Sequence, residues 1–265
     1  MNQPVPILMY HAVTQTPNDS TRALSVSPAA FAEQMALIAE RGATPLTTEG
    51  LAAAWRGDAP LPPRPVLITF DDGYEGVHRY ALPVLAAHGF SSTLFVSTGW
   101  LRGAHDTGGG LDTMLDWDQV RELARHGTEI GGHSHTHPPL DQLGDDALAT
   151  ELGLCAEIVA EETGTRPRSF AYPYGHSDRR VRRGVREAGF RQSLAVGNGL
   201  ARRAQGPYAL HRVTVRRSTG TGEFGRLLDG RAITRTFAGD RALTKGYALV
   251  RSVRKLRRKA TRTRV

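Results

Sequence analysis

The chain is poor in the features that classify a protein quickly, and each absence excludes something. It has one cysteine, Cys155, which rules out an intramolecular disulfide and any cysteine-built zinc site. No apolar run approaches the ~20 residues of a membrane-spanning helix. The opening Met1-Asn2-Gln3-Pro4 carries no basic residue, and Pro6 and His11 break the apolar stretch behind it, which is not the pattern of a signal peptide. Taken as a true start, this leads us to expect a cytoplasmic protein. No G-x-G-x-x-G follows the first strand, so a dinucleotide fold lacks its main support. Residues 251–265 contain eight Lys or Arg and no acid, leaving 26 residues of each sign elsewhere. A neutral body with a basic tail argues against nucleic-acid binding. At 265 residues the chain suits a single domain with a substantial core.

What is present is an alternation of strand and helix patterns. Strands are expected over residues 6–10, 66–70, 92–97, 129–132, 169–172, 192–196 and 209–215. Between them lie helices, one opened by Ser27-Pro28 with Phe31, Met35 and Ile38 at helical spacing, others over 78–88, 118–126, 145–163 and 178–188. Cys155 falls in the 145–163 helix and reads as a buried thiol. Strand–helix units of this kind build a parallel sheet covered on both faces, and about seven of them predict closure into a barrel. The Gly-rich residues 98–113 read as a rim segment or lid. We place the catalytic barrel at 1–225 and a basic extension at 226–265, helical and then disordered. In it Leu243, Tyr247, Val250, Val253 and Leu256 recur at amphipathic spacing. A docking helix with a solvated end is the favoured reading; weak contact with an anionic membrane surface is the other.

Two motifs carry chemistry. Asp71 and Asp72 close the strand 66–70, and Gly73 follows. Neighbouring strand residues face opposite ways, but at a strand end beside a glycine both carboxylates can reach one cavity, one to bind a cation and one as a general base. The second motif is Gly131-Gly132-His133-Ser134-His135-Thr136-His137-Pro138. A helical turn would bring His133 and His137 to one face, with His135 pointing elsewhere in a structural or surface role. Each motif alone has a bland reading, a solvated turn or a chance histidine run. Together they supply one carboxylate and two imidazoles, a frequent catalytic zinc set, whose metal acidifies water and polarises a carbonyl.

With Thr69-Phe70-Asp71-Asp72-Gly73, His133-Ser134 to His137-Pro138 and Phe170-Ala171-Tyr172-Pro173-Tyr174-Gly175 in that order, the chain resembles the polysaccharide deacetylase family, the NodB-homology carbohydrate esterases. Pro6-Ile7-Leu8-Met9-Tyr10-His11 is similar to the opening of many members. The resemblance covers roughly residues 5–216 and implies a distorted (β/α) barrel with its site at the C-terminal strand ends. It implies Asp71 as the general base, Asp72, His133 and His137 as metal ligands, and the Tyr174 backbone N–H as an oxyanion donor. His211 is the expected general acid, although Ala209-Leu210-His211 only approximates the family's Leu-x-His. Tyr74, Pro173 and Arg212 are expected substrate contacts. Many members pair the catalytic Asp with an Arg where this chain has Ala171; Arg166, Arg168 and Arg212 are the available substitutes. In a regular strand His211 and Arg212 face opposite sides, so at most one enters the cavity. Asp116-Trp117-Asp118 precedes the His motif and reads as a helix start.

The implied function is hydrolytic removal of an N-acyl group, most often acetyl, from an amino sugar or glycoside, with Zn²⁺ or another divalent ion (Co²⁺, Mn²⁺ or Ni²⁺) as cofactor. In the cytoplasm the substrate would be a nucleotide-linked or lipid-linked sugar, or a small N-acylated glycoside. Hydrolysis of a non-sugar C–N bond is one alternative. A silent sugar- or membrane-binding barrel is another, opposed by the complete Asp-Asp-His-His set.

Overall fold

Strand β3 (Pro65–Asp72) is central to the fold, since all eight of its residues are buried. In the computed structural model, which describes residues 3–240, it joins β1 (Ile7–Tyr10), β4 (Ser92–Val96), β5 (Thr128–Gly132), β6 (Ser169–Ala171), β7 (Gln192–Val196) and β8 (Leu210–Thr214). The order β1-β8-β7-β6-β5-β4-β3 closes on itself through β1–β3 pairing, giving a barrel of seven parallel strands. A further strand, β2 (Thr44–Leu46), pairs only with the start of β3, over Pro65–Leu67, before β4 takes over from Thr69.

The helices α1 (Pro28–Glu40), α2 (Thr48–Arg56), α3 (Leu82–His88), α4 (Trp117–Arg125), α5 (Asp145–Thr163) and α6 (Arg179–Glu187) connect the strands. Their ends follow capping chemistry. Ser27 accepts a bond from Ala30 N–H ahead of Pro28, and Asp116 forms a reciprocal capping box with Gln119, as the helix-start reading of 116–118 expects. The expected 78–88 helix opens instead as a wide π-type turn over Val77–Ala81 before α3. Strand β2 and helix α2 escaped the sequence pattern because they are short and leaned on by neighbours. Thr47 caps α2, while Thr93 Oγ1 and the Glu129 carboxylate accept the Thr48 and Glu49 amides.

Alternation along β3 sorts its side chains into two cores. Val66, Ile68 and Phe70 pack outward with Met35, Ile38 and Leu85 of the helices. Leu67 packs inward with Ile7, Phe95, Ala171, Leu194 and Leu210, so inward-pointing positions continue through Thr69 to Asp71. Two more helices, α7 (Thr221–Leu228) and α8 (Ile233–Thr236), follow β8. The boundary expected at 225 falls inside α7, and Leu227, Ile233 and Phe237 pack on Val213 of β8. The expected amphipathic segment from Leu243 onward lies outside the described residues. Among the described residues no helix is long and apolar enough to cross a membrane.

Close packing yields a direct test. A Cβ on Gly76 would sit 1.8 Å from the Val13 carbonyl oxygen, whereas one on Gly153, inside α5, would meet nothing within 4 Å. Gly76→Ala is expected to destabilise the protein by about 1–3 kcal/mol, and Gly153→Ala to stabilise it by about 0.5–1 kcal/mol. Urea unfolding of both variants checks the pair.

Candidate active site

The site lies at the C-terminal ends of the strands, where β3 delivers Asp71 and Asp72. Asp71 continues the inward alternation. Asp72 would point outward in a regular strand, but its backbone is left-handed, with φ 75°, and Gly73 follows at φ 103°. The turn therefore begins at Asp72 itself, one residue earlier than the glycine alone requires, and brings both carboxylates to one cavity. Left-handed backbone is costly for a residue with a Cβ. Ser134 (φ 67°), His137 (φ 60°), Tyr174 (φ 58°) and Asn198 (φ 42°) share it, and all but Ser134 line the same cavity.

The two histidines are not on a helical turn, contrary to the sequence expectation. Residues 133–137 form a loop after β5 whose left-handed Ser134 and His137 fold it back, leaving the rings 4.9 Å apart. Neighbours fix that loop. The Glu151 carboxylate, from α5, accepts the His135 and Thr136 amides at 2.9 and 2.8 Å and the Thr136 hydroxyl at 2.5 Å. Ser134 Oγ accepts the His137 amide at 3.1 Å, and His135 Nδ1 lies 2.9 Å from Thr98 Oγ1. His135 thus has the structural role expected of it.

His133 Nε2 and His137 Nε2 lie 3.3 and 3.4 Å from Asp72 Oδ1. These three residues are the one group among the described residues whose ligand atoms could share a metal ion, all within 4.8 Å of one another. Three observations fit a cation there. Asp72 Oδ1 is buried without a hydrogen-bond donor. His133 Nδ1 lies 2.7 Å from the Ala171 carbonyl, which can only accept, so Nδ1 carries a proton and Nε2 is the ring nitrogen turned to Asp72. Burial first, then the neighbouring His133, push the His137 ring down to about 4, so at neutral pH it is a lone-pair donor. Burial alone would raise the Asp72 carboxyl, but the surrounding His133, His11 and His137 rings outweigh it and hold it well below the usual range.

Asp71 has a different partner. Arg212, fully buried on β8, donates Nη1 and Nη2 to the two Asp71 oxygens at 2.6 and 2.7 Å, and its guanidinium lies 5.7 Å from the Phe95 ring centre. Burial pushes the Asp71 carboxyl up; Arg212, with His133 and His11, outweighs it and keeps the group ionised below the ordinary value. Of the three candidate arginines, Arg212 is the partner. Arg166 donates to the Ala188 carbonyl and Arg168 pairs loosely with Glu49.

Three expected assignments change. Arg212 is not a substrate contact, because it is fully buried inside the barrel with both terminal nitrogens bonded to Asp71. His211 faces the other side of β8, as strand alternation requires, with its ring packed on Gly197; it does not line the cavity. Pro173 is buried beneath the Tyr172–Gly175 turn and does not line it either. Tyr74 does line it, with burial and the Asp72 carboxylate raising its hydroxyl far above the ordinary value. Tyr174 stands at the mouth with its ring 4.8 Å from that of His137, and Trp100, from the Gly-rich rim segment, sits 4.6 Å from the same ring. His11 enters the site without having been assigned a role. It follows β1, lines the cavity beside Asp71 and Asp72, and its Nδ1 is buried without a hydrogen-bond partner. The signal was the position: His11 directly follows a strand, at the barrel end where Asp71 follows another.

Fold and site together define a seven-stranded barrel of the deacetylase type. Residues 58–193 match the polysaccharide deacetylase family model, and the chain belongs to that family. YxkH of Bacillus subtilis (strain 168), a polysaccharide deacetylase by name, is 28% identical over 85% of this chain and 76% of its own. The poly-β-1,6-N-acetyl-D-glucosamine N-deacetylase of Escherichia coli (strain K12) is 24% identical over 75% of this chain, which spans only 34% of that protein. The Streptococcus pyogenes deacetylase PplD, solved in complex with acetate, shares the fold with a TM-score of 0.78 at 22% identity, covering 86% of this chain and 99% of that one.

The ion pair and the loop clamp each predict a phenotype. Arg212→Met leaves Asp71 buried without its cation, a loss of about 3–5 kcal/mol near neutral pH. The penalty should shrink as pH falls through the carboxyl range, because a protonated Asp71 needs no cation; urea unfolding across pH reads it. Glu151→Ala is expected to weaken Zn²⁺ binding about 10–100-fold in a chelator-competition assay, while Glu157→Ala, exposed on the same helix, leaves it intact.

Proposed function

We propose that the protein hydrolyses the N-acetyl amide of an amino sugar. The observation that carries this reading is the unlike pair of carboxylates on β3: Asp72, with an unsatisfied oxygen facing the Nε2 atoms of His133 and His137, and Asp71, held ionised by Arg212. Asp72, His133 and His137 would hold a divalent ion, with Zn²⁺ suited to the donor set. Bound there, the ion supplies Lewis acidity, lowering the pKa of water and polarising a carbonyl.

The remaining steps fall to the chain's own residues. Asp71, ionised and fixed by two hydrogen bonds, accepts the proton of the attacking water at a carboxylate oxygen. A carboxylate has about four acceptor sites, so the bidentate Arg212 contact leaves room for that proton. The left-handed Tyr174 aligns its backbone N–H as a donor to the developing oxyanion. The leaving nitrogen must gain a proton before the C–N bond breaks. Two imidazoles outside the ligand set line the cavity, His11 and His176, and His11 is the one close enough to act on the charges of Asp71 and Asp72. We assign it as the general acid in place of His211. Trp100 and Tyr174 flank His137 and shield the reacting amide from bulk water.

Acetate release from a panel of N-acetylglucosamine glycosides and oligomers, with Zn²⁺, Co²⁺, Mn²⁺ or Ni²⁺ added, tests the reading. Asp71→Asn and His11→Ala are each expected to lower kcat about 10²–10⁴-fold with metal still bound, and His211→Ala to stay close to wild type once folding is matched. No acetate from any member of the panel would reject the proposal. Equal activity in Asp71→Asn would reject the base.

A further inference from the structure

Among the described residues four large apolar side chains stand well exposed: Leu24, Leu111, Leu154 and Tyr174. Three of them, all but Leu154, line the cavity over the Asp–His–His centre. Scattered exposed apolar side chains are ordinary, but three lining one cavity are not scattered. Tyr174 lies against a metal-ligand candidate and is part of the site already described. Leu24, 37% exposed, and Leu111, 46% exposed, touch none of that chemistry. They come from separate loops, after β1 and after β4, about ninety residues apart in sequence.

Hydrogen bonds between those loops hold the pair in place. The Asn18 amide donates to the Leu111 carbonyl, and Asn18 Oδ1 accepts the Thr21 amide at 3.0 Å. The buried Thr21 hydroxyl lies 3.1 Å from both Asn18 Oδ1 and Asp112 Oδ2. Behind Leu24, the Ser25 hydroxyl donates to the Arg22 carbonyl at 2.9 Å. Asn18, Thr21 and Asp112 spend their polar groups on one another, so beside the Ser20 hydroxyl the wall offers chiefly hydrocarbon. A cavity of about 520 Å³ that joins this apolar wall to the convergent polar groups of the centre has the make-up of a small-ligand site. An unsubstituted sugar polymer, hydroxylated along its length, would leave those leucines against hydroxyl groups.

The geometry points to a substrate in which the N-acylated sugar carries a hydrocarbon group, received against Leu24 and Leu111 while the amide lies at Asp71 and Asp72. This rests on the deacetylase reading above. The hydrocarbon is either an aglycone on the sugar or the acyl chain itself, the same chemistry from two sources.

Calorimetric titration of the full-length Zn²⁺-loaded protein with monomeric octyl β-D-glucoside, methyl N-octanoylglucosaminide and methyl β-D-glucoside separates these cases. An octyl ligand is expected to bind at least tenfold more tightly than methyl glucoside, about 1.4 kcal/mol. Preference for octyl glucoside identifies an aglycone, and preference for the N-octanoyl compound a longer acyl chain. A Leu24→Ser/Leu111→Ser variant with unchanged thermal unfolding should lose the preference. Leu111→Ser alone, at the more exposed position, should reduce it about threefold. Equal affinity for all three ligands, or a preference that survives in the variants, overturns the inference. Octyl glucoside has no amide, so its binding is read independently of hydrolysis. Acetate release with no octyl preference would leave the deacetylase reading standing and this one rejected; octyl preference without acetate release from any N-acetyl sugar would reject the deacetylase reading and leave of this one only the hydrocarbon-binding wall.

Discussion

The bidentate contact between Arg212 and Asp71 is the interaction on which the upper half of the barrel depends. Two opposite charges are removed from water inside a closed sheet, a costly arrangement unless geometry is good and every strong donor is used. The geometry is met by two short bonds, with the Phe95 ring beside the guanidinium and Thr69 within reach, while Arg212 Nε is left buried without a partner. The contact also joins β3 to β8, strands separated in the barrel only by β1. Once Asp71 is fixed, the register of β3 places Asp72 at the mouth. The rest of the centre is then arranged around one carboxylate that points inward and one that turns aside.

Two kinds of support hold the remaining groups. His133 is oriented through a backbone carbonyl and His137 through a loop whose amides are gathered by Glu151. Neither support touches the cavity, and both use peptide groups. Backbone strain at Asp72, Ser134, His137, Tyr174 and Asn198 is concentrated at the strand ends, while the strands below follow regular alternation. The barrel body supplies stability, and the mouth spends part of it on geometry.

Much of this was legible in the sequence. The Asp pair, the spaced histidines and the Tyr-Pro-Tyr-Gly turn identified residues that do converge, and period-2 alternation at residues 209–215 already required His211 and Arg212 to part company. What alternation alone lacks is an absolute phase: it separates the two without saying which faces in. That answer comes from Leu210, which packs in the barrel interior and carries Arg212 with it. The histidine spacing was read for the right residues with the wrong backbone, because a four-residue interval fits a helical turn and a folded-back loop equally well. His11 carries no motif-like spacing to the other groups; only barrel closure, by pairing β1 with β3, brings it beside Asp71. Leu24 and Leu111 are likewise joined only by contacts between loops distant in sequence.

The bond from His133 to the Ala171 carbonyl has a consequence for how this protein can change over generations. Orientation of that imidazole is owed to an oxygen that every amino acid possesses, so substitutions at position 171 leave the acceptor in place as long as the strand is paired. The side chain there is released from polar duty, and the cation for Asp71 can come from a different strand. Inheritance of the centre is therefore tied less to the identity of residue 171 than to the path of β6. A lineage could exchange the origin of its arginine without passing through a form that misdirects the histidine.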